Sequence, residues 1–218
     1  VQAEAKAGAI EGNPIREDID EVCERFVPIT FIVNVILDEK KRIRRCVAGH
    51  FIKAHREGCR FLDQLYKIQI PHRADIVIVS AGGYPKDINL YQAQKALDNA
   101  KHAVKDGGCI LWAASSKEGL GAEIFVKWMT GHEKAHDMIE HISREFQLGG
   151  HKAAAIAMVL EKADIYLYSD MDADFVRSIH LKPCQDLQVE LDSALSRYGE
   201  NASVIVMPYG GSTLPCTK

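Results

Sequence analysis

Ala74-Asp75-Ile76-Val77-Ile78-Val79-Ser80-Ala81-Gly82-Gly83-Tyr84-Pro85-Lys86-Asp87 decides the reading of this 218-residue chain. Ile76 to Val79 is an unbroken β-branched run, which predicts a strand buried on both faces of a parallel sheet. Gly82 and Gly83 supply a tight turn, Pro85 resists an early helix, and Asp87 is placed to cap a helix from Ile88 to about Lys105. Strand, glycine turn and capped helix put a loop at the carboxyl edge of a sheet, where open α/β folds bind ligands.

Along that helix Leu90, Ala93, Leu97, Ala100 and Val104 share one face and read as the stripe turned to the sheet. Gln92 and Lys95 are three residues apart, so they are surface neighbours pointing away from the stripe. Two readings stand at this point: a solvated helix face, or a pair facing a cleft and binding an oxyanion or carboxylate. Spacing alone does not choose between them.

The same pattern repeats on both sides. Downstream, Gly107-Gly108 introduces a second buried strand, Cys109 to Ala114, followed by the loop Ser115 to Gly121. Helices are expected at Ala122 to Met129, His132 to Phe146 and Lys152 to Glu161, then a strand at Asp164 to Tyr168. Helices at Asp172 to Ile179 and Leu187 to Tyr198 precede a last strand, Ser203 to Pro208, which runs into Tyr209-Gly210-Gly211-Ser212. Strands alternating with helices predict a mostly parallel, Rossmann-like sheet flanked by helices. Upstream the pattern is α+β: a helix capped by Asn13, with Pro14 in its first turn, a stripe at Ile19, Val22 and Phe26, and Pro28 as its stop. The hairpin Ile29 to Val47 turns at Asp38-Glu39-Lys40. A helix from Gly49 to Leu65 and a short strand, Tyr66 to Ile70, come next. The expected organisation is therefore a small segment, 1–70, and an α/β domain, 71–218.

Composition excludes several functions. The hydrophobic fraction of 47% and charged fraction of 26% are those of an ordinary globular protein. A formal net charge of -3 gives no reason to expect a nucleic-acid partner. No apolar run is long enough to span a bilayer, so no membrane partner is expected. Six cysteines without a CxxC pair read as free thiols of a cytoplasmic protein. The chain opens on Val1-Gln2-Ala3 without a signal peptide's apolar core. Ala5 to Glu11 then runs into Gly12-Asn13-Pro14 with no clear opening element, the expected look of a piece of a longer protein.

Short motifs add little. His132-Glu133-Lys134-Ala135-His136 places two histidines at i and i+4 of the expected helix, the spacing of a zinc site. The third-ligand extension is missing, and Asp137, Glu140, Arg144 and Glu145 make that helix polar, so it reads as an exposed surface. Ser80-Ala81-Gly82-Gly83 fails the dinucleotide pattern. Like Gly210-Gly211-Ser212-Thr213, it is either an anion-binding turn or a plain one.

Read in order, Gly12-Asn13-Pro14-x-Arg16-x-Asp18, Phe31 to Val35, Gly83-Tyr84-Pro85-Lys86-Asp87-x-Asn89-Leu90-Tyr91-Gln92-x-Gln94-Lys95 and Met207 to Pro215 resemble the nickel-dependent lactate racemase family. These landmarks span nearly the whole chain. The resemblance implies a racemase or epimerase of a small 2-hydroxy acid, working by hydride transfer to a nickel pincer cofactor of the pyridinium-3,5-dithiocarboxylic acid mononucleotide type. Gln92 and Lys95 match the family's glutamine and lysine that line the active-site cleft. The resemblance thus favours the cleft reading, with Lys95 as a fixed positive charge and Gln92 as an amide donor or acceptor. The family's cofactor-bearing lysine, nickel-binding histidine and acid–base histidines precede Gly12 in the family. None of the nine histidines matches them, and the family's substrate-side tryptophan has no secure place at Trp112 or Trp128. The expectation is accordingly the C-terminal part of a lactate racemase-like isomerase, completed by a missing N-terminal domain. Residues 1–70 would finish that cofactor-side domain, and the isolated chain would hold no cofactor and be inactive. The alternatives are a non-catalytic α/β ligand-binding or interaction module, and an epimerase of another 2-hydroxy acid.

Overall fold

In the computed structural model, which describes residues 4–27, 29–38 and 40–217, the chain divides between Lys67 and Ile68 into two units. The first unit opens with helix α1 (Pro14–Arg25). Asn13 caps it by accepting a hydrogen bond from the Ile15 amide at 3.1 Å, and Pro14 fills the first turn, where no amide is needed. Strands β1 (Ile32–Leu37) and β2 (Ile43–Gly49) form an antiparallel hairpin, and helix α2 (Phe51–Tyr66) packs on it. Its small core holds Ile36, Val47, Phe51 and Ala54. The expected stop at Pro28 and the Glu39 of the hairpin turn lie outside the described residues. The stripe Ile19, Val22 and Phe26 is exposed, Phe26 to 76%, and no residue of α1 is buried within the unit. Helical periodicity here marks a helix but not a core face.

The second unit is an α/β sandwich. Strand β3 (Lys67–Gln69) straddles the unit boundary and pairs with β9 (Leu214–Cys216). The main sheet has five parallel strands in the order β7-β6-β5-β4-β8. They are β4 (Ala74–Ser80), β5 (Val104–Ala113), β6 (Asp164–Tyr168), β7 (Lys182–Cys184) and β8 (Val204–Met207). Helices α3 (Leu90–Ala100), α4 (Glu123–Gly131), α5 (Ala135–Arg144), α6 (Gly150–Leu160) and α7 (Ala173–Ser178) serve one face, and α8 (Leu187–Tyr198) the other.

The period of two along each strand divides the core. Val77, Val79, Ile110, Trp112, Ile165 and Leu167 pack under α3, α4 and α6, while Ile76, Cys109, Leu111 and Tyr166 turn to α8. Ile76, Val77 and Val79 are fully buried, as their β-branched run predicts. Leu90, Ala93, Leu97 and Ala100 form the buried face of α3.

Several boundaries differ from expectation. Asn89, not Asp87, caps α3, accepting from the Gln92 amide at 3.0 Å. Asp87 is buried and accepts from the Ser115 amide instead, tying the loops after β4 and β5 together. Helix α3 ends at Ala100, and Val104 belongs to β5: its apolar side chain matched the helix period but pairs in the sheet opposite Ala74. Strand β5 absorbs Gly107 and Gly108 as an irregularity in register against β4. A Cβ on Gly108 would lie 2.6 Å from the Asp75 carbonyl oxygen. Strand β7 carries no readable sequence pattern because it is three residues long and contains Pro183, tolerable only at a sheet edge. Strand β9 is as short, with Pro215 at its centre.

The stretch expected as one helix from His132 is broken. His132 ends α4 and α5 begins at Ala135, so His132 and His136 do not share a helix face. His132 contacts the Trp128 carbonyl and His141, whereas His136 is exposed and pairs with Glu161. Among the described residues no three His, Cys, Asp or Glu side chains converge as a metal site.

Candidate functional site

The strand order locates the site. From β4 the chain proceeds one way through β5, β6 and β7, then returns through α8 to place β8 on the other side of β4. Connections therefore leave β4 and enter β8 on opposite faces of the sheet, which opens a crevice beyond their carboxyl ends. A cleft of about 320 Å³ lies there, walled by Pro85 and Lys86 from the β4 loop, Gln92 and Lys95 from α3, and Gly211 and Ser212 after β8. Ala81, Ala93 and Ala96 give it a short-chain floor.

Each wall has a local cause. Gly82 and Gly83 adopt φ of +97° and +72°, a left-handed turn that side chains with a Cβ rarely take. It reverses the chain at the end of β4 and lets Lys86 lie back across Gly82, where a Cβ would sit 3.2 Å from Lys86 Cδ and 3.6 Å from its Nζ. The opposite wall needs Gly210. A Cβ there would lie 2.3 Å from Val79 Cγ2 and 2.9 Å from the Ala96 Cβ, so only glycine lets the turn after β8 approach both strand and helix. Asn99 fastens that turn by donating to the Gly210 carbonyl at 2.7 Å.

On α3, Lys95 Nζ donates to Gln92 Oε1 at 2.9 Å. With its oxygen engaged, the Gln92 carboxamide is left with its NH2 group as a donor. Gln92 is half-buried and Lys95 exposed at the cleft wall. Among the described residues neither Lys86 nor Lys95 enters an ion pair. The cleft thus offers two ammonium groups and an amide, all donors, with no carboxylate to neutralise them. That arrangement suits a small ligand bearing an oxyanion.

A third lysine braces this wall. Lys152 of α6 donates to the Tyr91 carbonyl at 2.7 Å and sits 4.1 Å from the centre of the Tyr91 ring. Burial pushes its ammonium below the ordinary lysine range, and the neighbouring Lys95 charge adds to that shift. The Tyr91 ring meets Phe125 edge-on at 5.6 Å, so the first turn of α3 is held from two helices. Trp112 is fully buried in the core and Trp128 stacks on His141, away from the cleft lining.

The structure brings Gln92 and Lys95 together on one cleft wall, as their spacing allowed. Of its other walls, Lys86 is not singled out by sequence reasoning, and the Gly211–Ser212 turn is named there only as an anion-binding turn or a plain one. The signal for Lys86 is the lysine after Gly82-Gly83-Tyr84-Pro85. The second glycine turn is legible only as ambiguous, since its partner α3 lies more than a hundred residues away in sequence.

The cleft falls within a domain shared with known proteins. The profile of the lactate racemase C-terminal domain matches residues 70–214, which include every residue of the cleft. The chain is 32% identical over 215 residues to a lactate racemase of Thermoanaerobacterium thermosaccharolyticum, covering 96% of this chain and 50% of that protein. A lactate racemase of Lactiplantibacillus plantarum is 30% identical over 211 residues, covering 94% and 49%. The chain therefore spans about half the length of the curated relatives it matches. The solved lactate racemase apoprotein from T. thermosaccharolyticum superposes with a TM-score of 0.91 at 31% identity, covering 99% of this chain and 52% of that one. A crystal structure of a Thermotoga maritima protein, at 18% identity and a TM-score of 0.67, shares the fold. Among the described residues no helix is long and apolar enough to cross a membrane. With two thirds of its length matched by that profile, the chain belongs to the lactate racemase family, as its C-terminal part.

Proposed function

We propose that the full-length protein interconverts the stereoisomers of a small 2-hydroxy acid, and that this chain supplies the carboxylate-binding wall of its active site. One observation supports the reading most directly: the Lys95–Gln92 donor pair stands on a cleft at the sheet's switch point, inside the matched domain. Lys95 provides a fixed charge for the substrate carboxylate, and the Gln92 amide a directed hydrogen bond to one of its oxygens or to the hydroxyl. Two such contacts on one rigid helix fix how the substrate's α-carbon is presented, which is the protein's share when a cofactor carries the chemistry. Residues up to about Ile70 would finish the cofactor-side domain of the parent.

A nickel pincer nucleotide belongs to the proposal for the full-length protein only. The cleft walls carry no imidazole, thiolate or carboxylate, so this donor set does not fit a nickel ion held on this chain. On this reading the chain by itself does not racemise lactate.

The test is Lys95→Met in the full-length protein, assayed by chiral separation of lactate. Loss of nearly all interconversion with an unchanged circular dichroism spectrum supports the assignment. Wild-type turnover returns Lys95 to the solvated surface. Malate and glycerate tested in parallel distinguish a lactate enzyme from one acting on another 2-hydroxy acid.

A further inference from the structure

We infer that Lys86 is a second carboxylate-binding residue, and that the cleft holds its ligand's carboxylate between two ammonium groups, Lys86 on the β4 loop and Lys95 on α3. This deepens the function proposed above and rests on its reading of the cleft. Lys86 is folded back over the Gly82–Gly83 turn, with its Nζ 3.6 Å from the position a Gly82 Cβ would take, and it lines the same cleft as Gln92 and Lys95. A surface lysine ordinarily extends into water or meets a carboxylate. This one is exposed, yet it lies back over a glycine turn that leaves room for it, and no described carboxylate pairs with it or with Lys95.

Two like charges facing one small cleft without a counter-ion repel each other, and a bound anion relieves that repulsion. A carboxylate has two oxygens, each able to accept from a separate ammonium group. Lysine, a compact charge on a flexible stem, can close on such a ligand from two elements at once. The apolar floor of Ala81, Ala93 and Ala96 limits the rest of the ligand beyond its carboxylate.

The experiment is titration of the 218-residue chain with sodium L-lactate and D-lactate, monitored through the amide resonances of Gly211 and Ser212 and the side-chain amide of Gln92. Sodium chloride controls for ionic strength. Saturable shifts with lactate are expected, weakening about tenfold in Lys86→Met and again in Lys95→Met, the loss typical of a hydrogen bond to a charged group. Lys86→Arg, which keeps the charge, should recover most of the binding. Loss in Lys95→Met with unchanged binding in Lys86→Met overturns this inference and leaves the proposed function standing. Loss in Lys86→Met alone removes Lys95 from the proposed function. Absence of saturable shifts with lactate overturns both.

Discussion

The two ends of strand β4 treat charge in opposite ways. At its amino end Asp75 accepts from Lys105 at 2.8 Å and from the Ser203 hydroxyl and amide at 2.7 and 2.8 Å. Those bonds tie β4 to the start of β5 and the approach to β8. Lys105 and then Ser203 hold the Asp75 carboxyl well below the usual carboxylate range. At the carboxyl end Lys86 and Lys95 share a cleft with no acidic partner, beside glycines that keep the backbone bare. One end satisfies its charge internally and so contributes to stability. The other leaves its donors without an acidic partner, and the proposed function gives them a ligand. On that proposal, stability and binding are separated along the length of one strand.

Four substitutions sharpen that contrast. The largest effect is expected for Lys95→Met in the full-length protein: kcat/KM for lactate falls about a hundredfold, ~3 kcal/mol of transition-state stabilisation. Chemical denaturation midpoints should move by no more than about 0.5 kcal/mol equivalent, since an exposed lysine without an ion partner adds little to folding. A stability loss as large as the activity loss would erase the distinction between the two ends. Next is Gly210→Ala, whose Cβ has no room against Val79 and Ala96. It should cost about 2 kcal/mol by overpacking and lower the thermal midpoint by several degrees. Wild-type stability would show that the turn after β8 yields readily and does not fix the cleft wall.

Asp75→Asn tests the paired end. A loss of about 1–2 kcal/mol is expected at neutral pH, the worth of hydrogen bonds to a charged group partly screened by solvent. The pH dependence comes from the direction of the shift. Because the folded carboxyl titrates below its unfolded value, its contribution is complete above about pH 4. It is lost as pH falls through the lower folded value. Stability curves of wild type and variant should therefore run parallel from neutral pH down to about pH 5 and converge only in strong acid. Convergence near neutrality would contradict the assignment. The smallest effect is expected for Asn89→Ala, about 1 kcal/mol from the lost α3 cap, measured by urea unfolding. Since Asn89 seats the turn carrying Gln92, it should also weaken lactate binding slightly.

Legibility in the sequence depends on which residues carry local signals. The β-branched run at Ile76 to Val79 and the 3.6-residue recurrence of Leu90, Ala93, Leu97 and Ala100 are local patterns, and β4 and α3 form where they point. Asp87 and Asn89 are both capping residues two positions apart, and the choice falls to a distant group: the Ser115 amide takes the Asp87 carboxylate, leaving Asn89 for the helix. His132 and His136 show the same limit, because motif spacing assumes a continuous helix, and this one ends at Gly131. In the first unit, Ile19, Val22 and Phe26 mark a correct helix but no buried face.

By itself the sequence determined the alternation of strand and helix, the two glycine turns and the adjacency of Gln92 and Lys95, since each depends on residues within one or two turns of chain. Tertiary structure alone decided that β8 returns beside β4, that Gly210 brings its turn against α3, and that Lys86 and Lys95 look into one space. The first two outcomes rest on packing between segments more than a hundred residues apart. No local propensity encodes such an approach, and the fit of a missing side chain at Gly210 makes it possible.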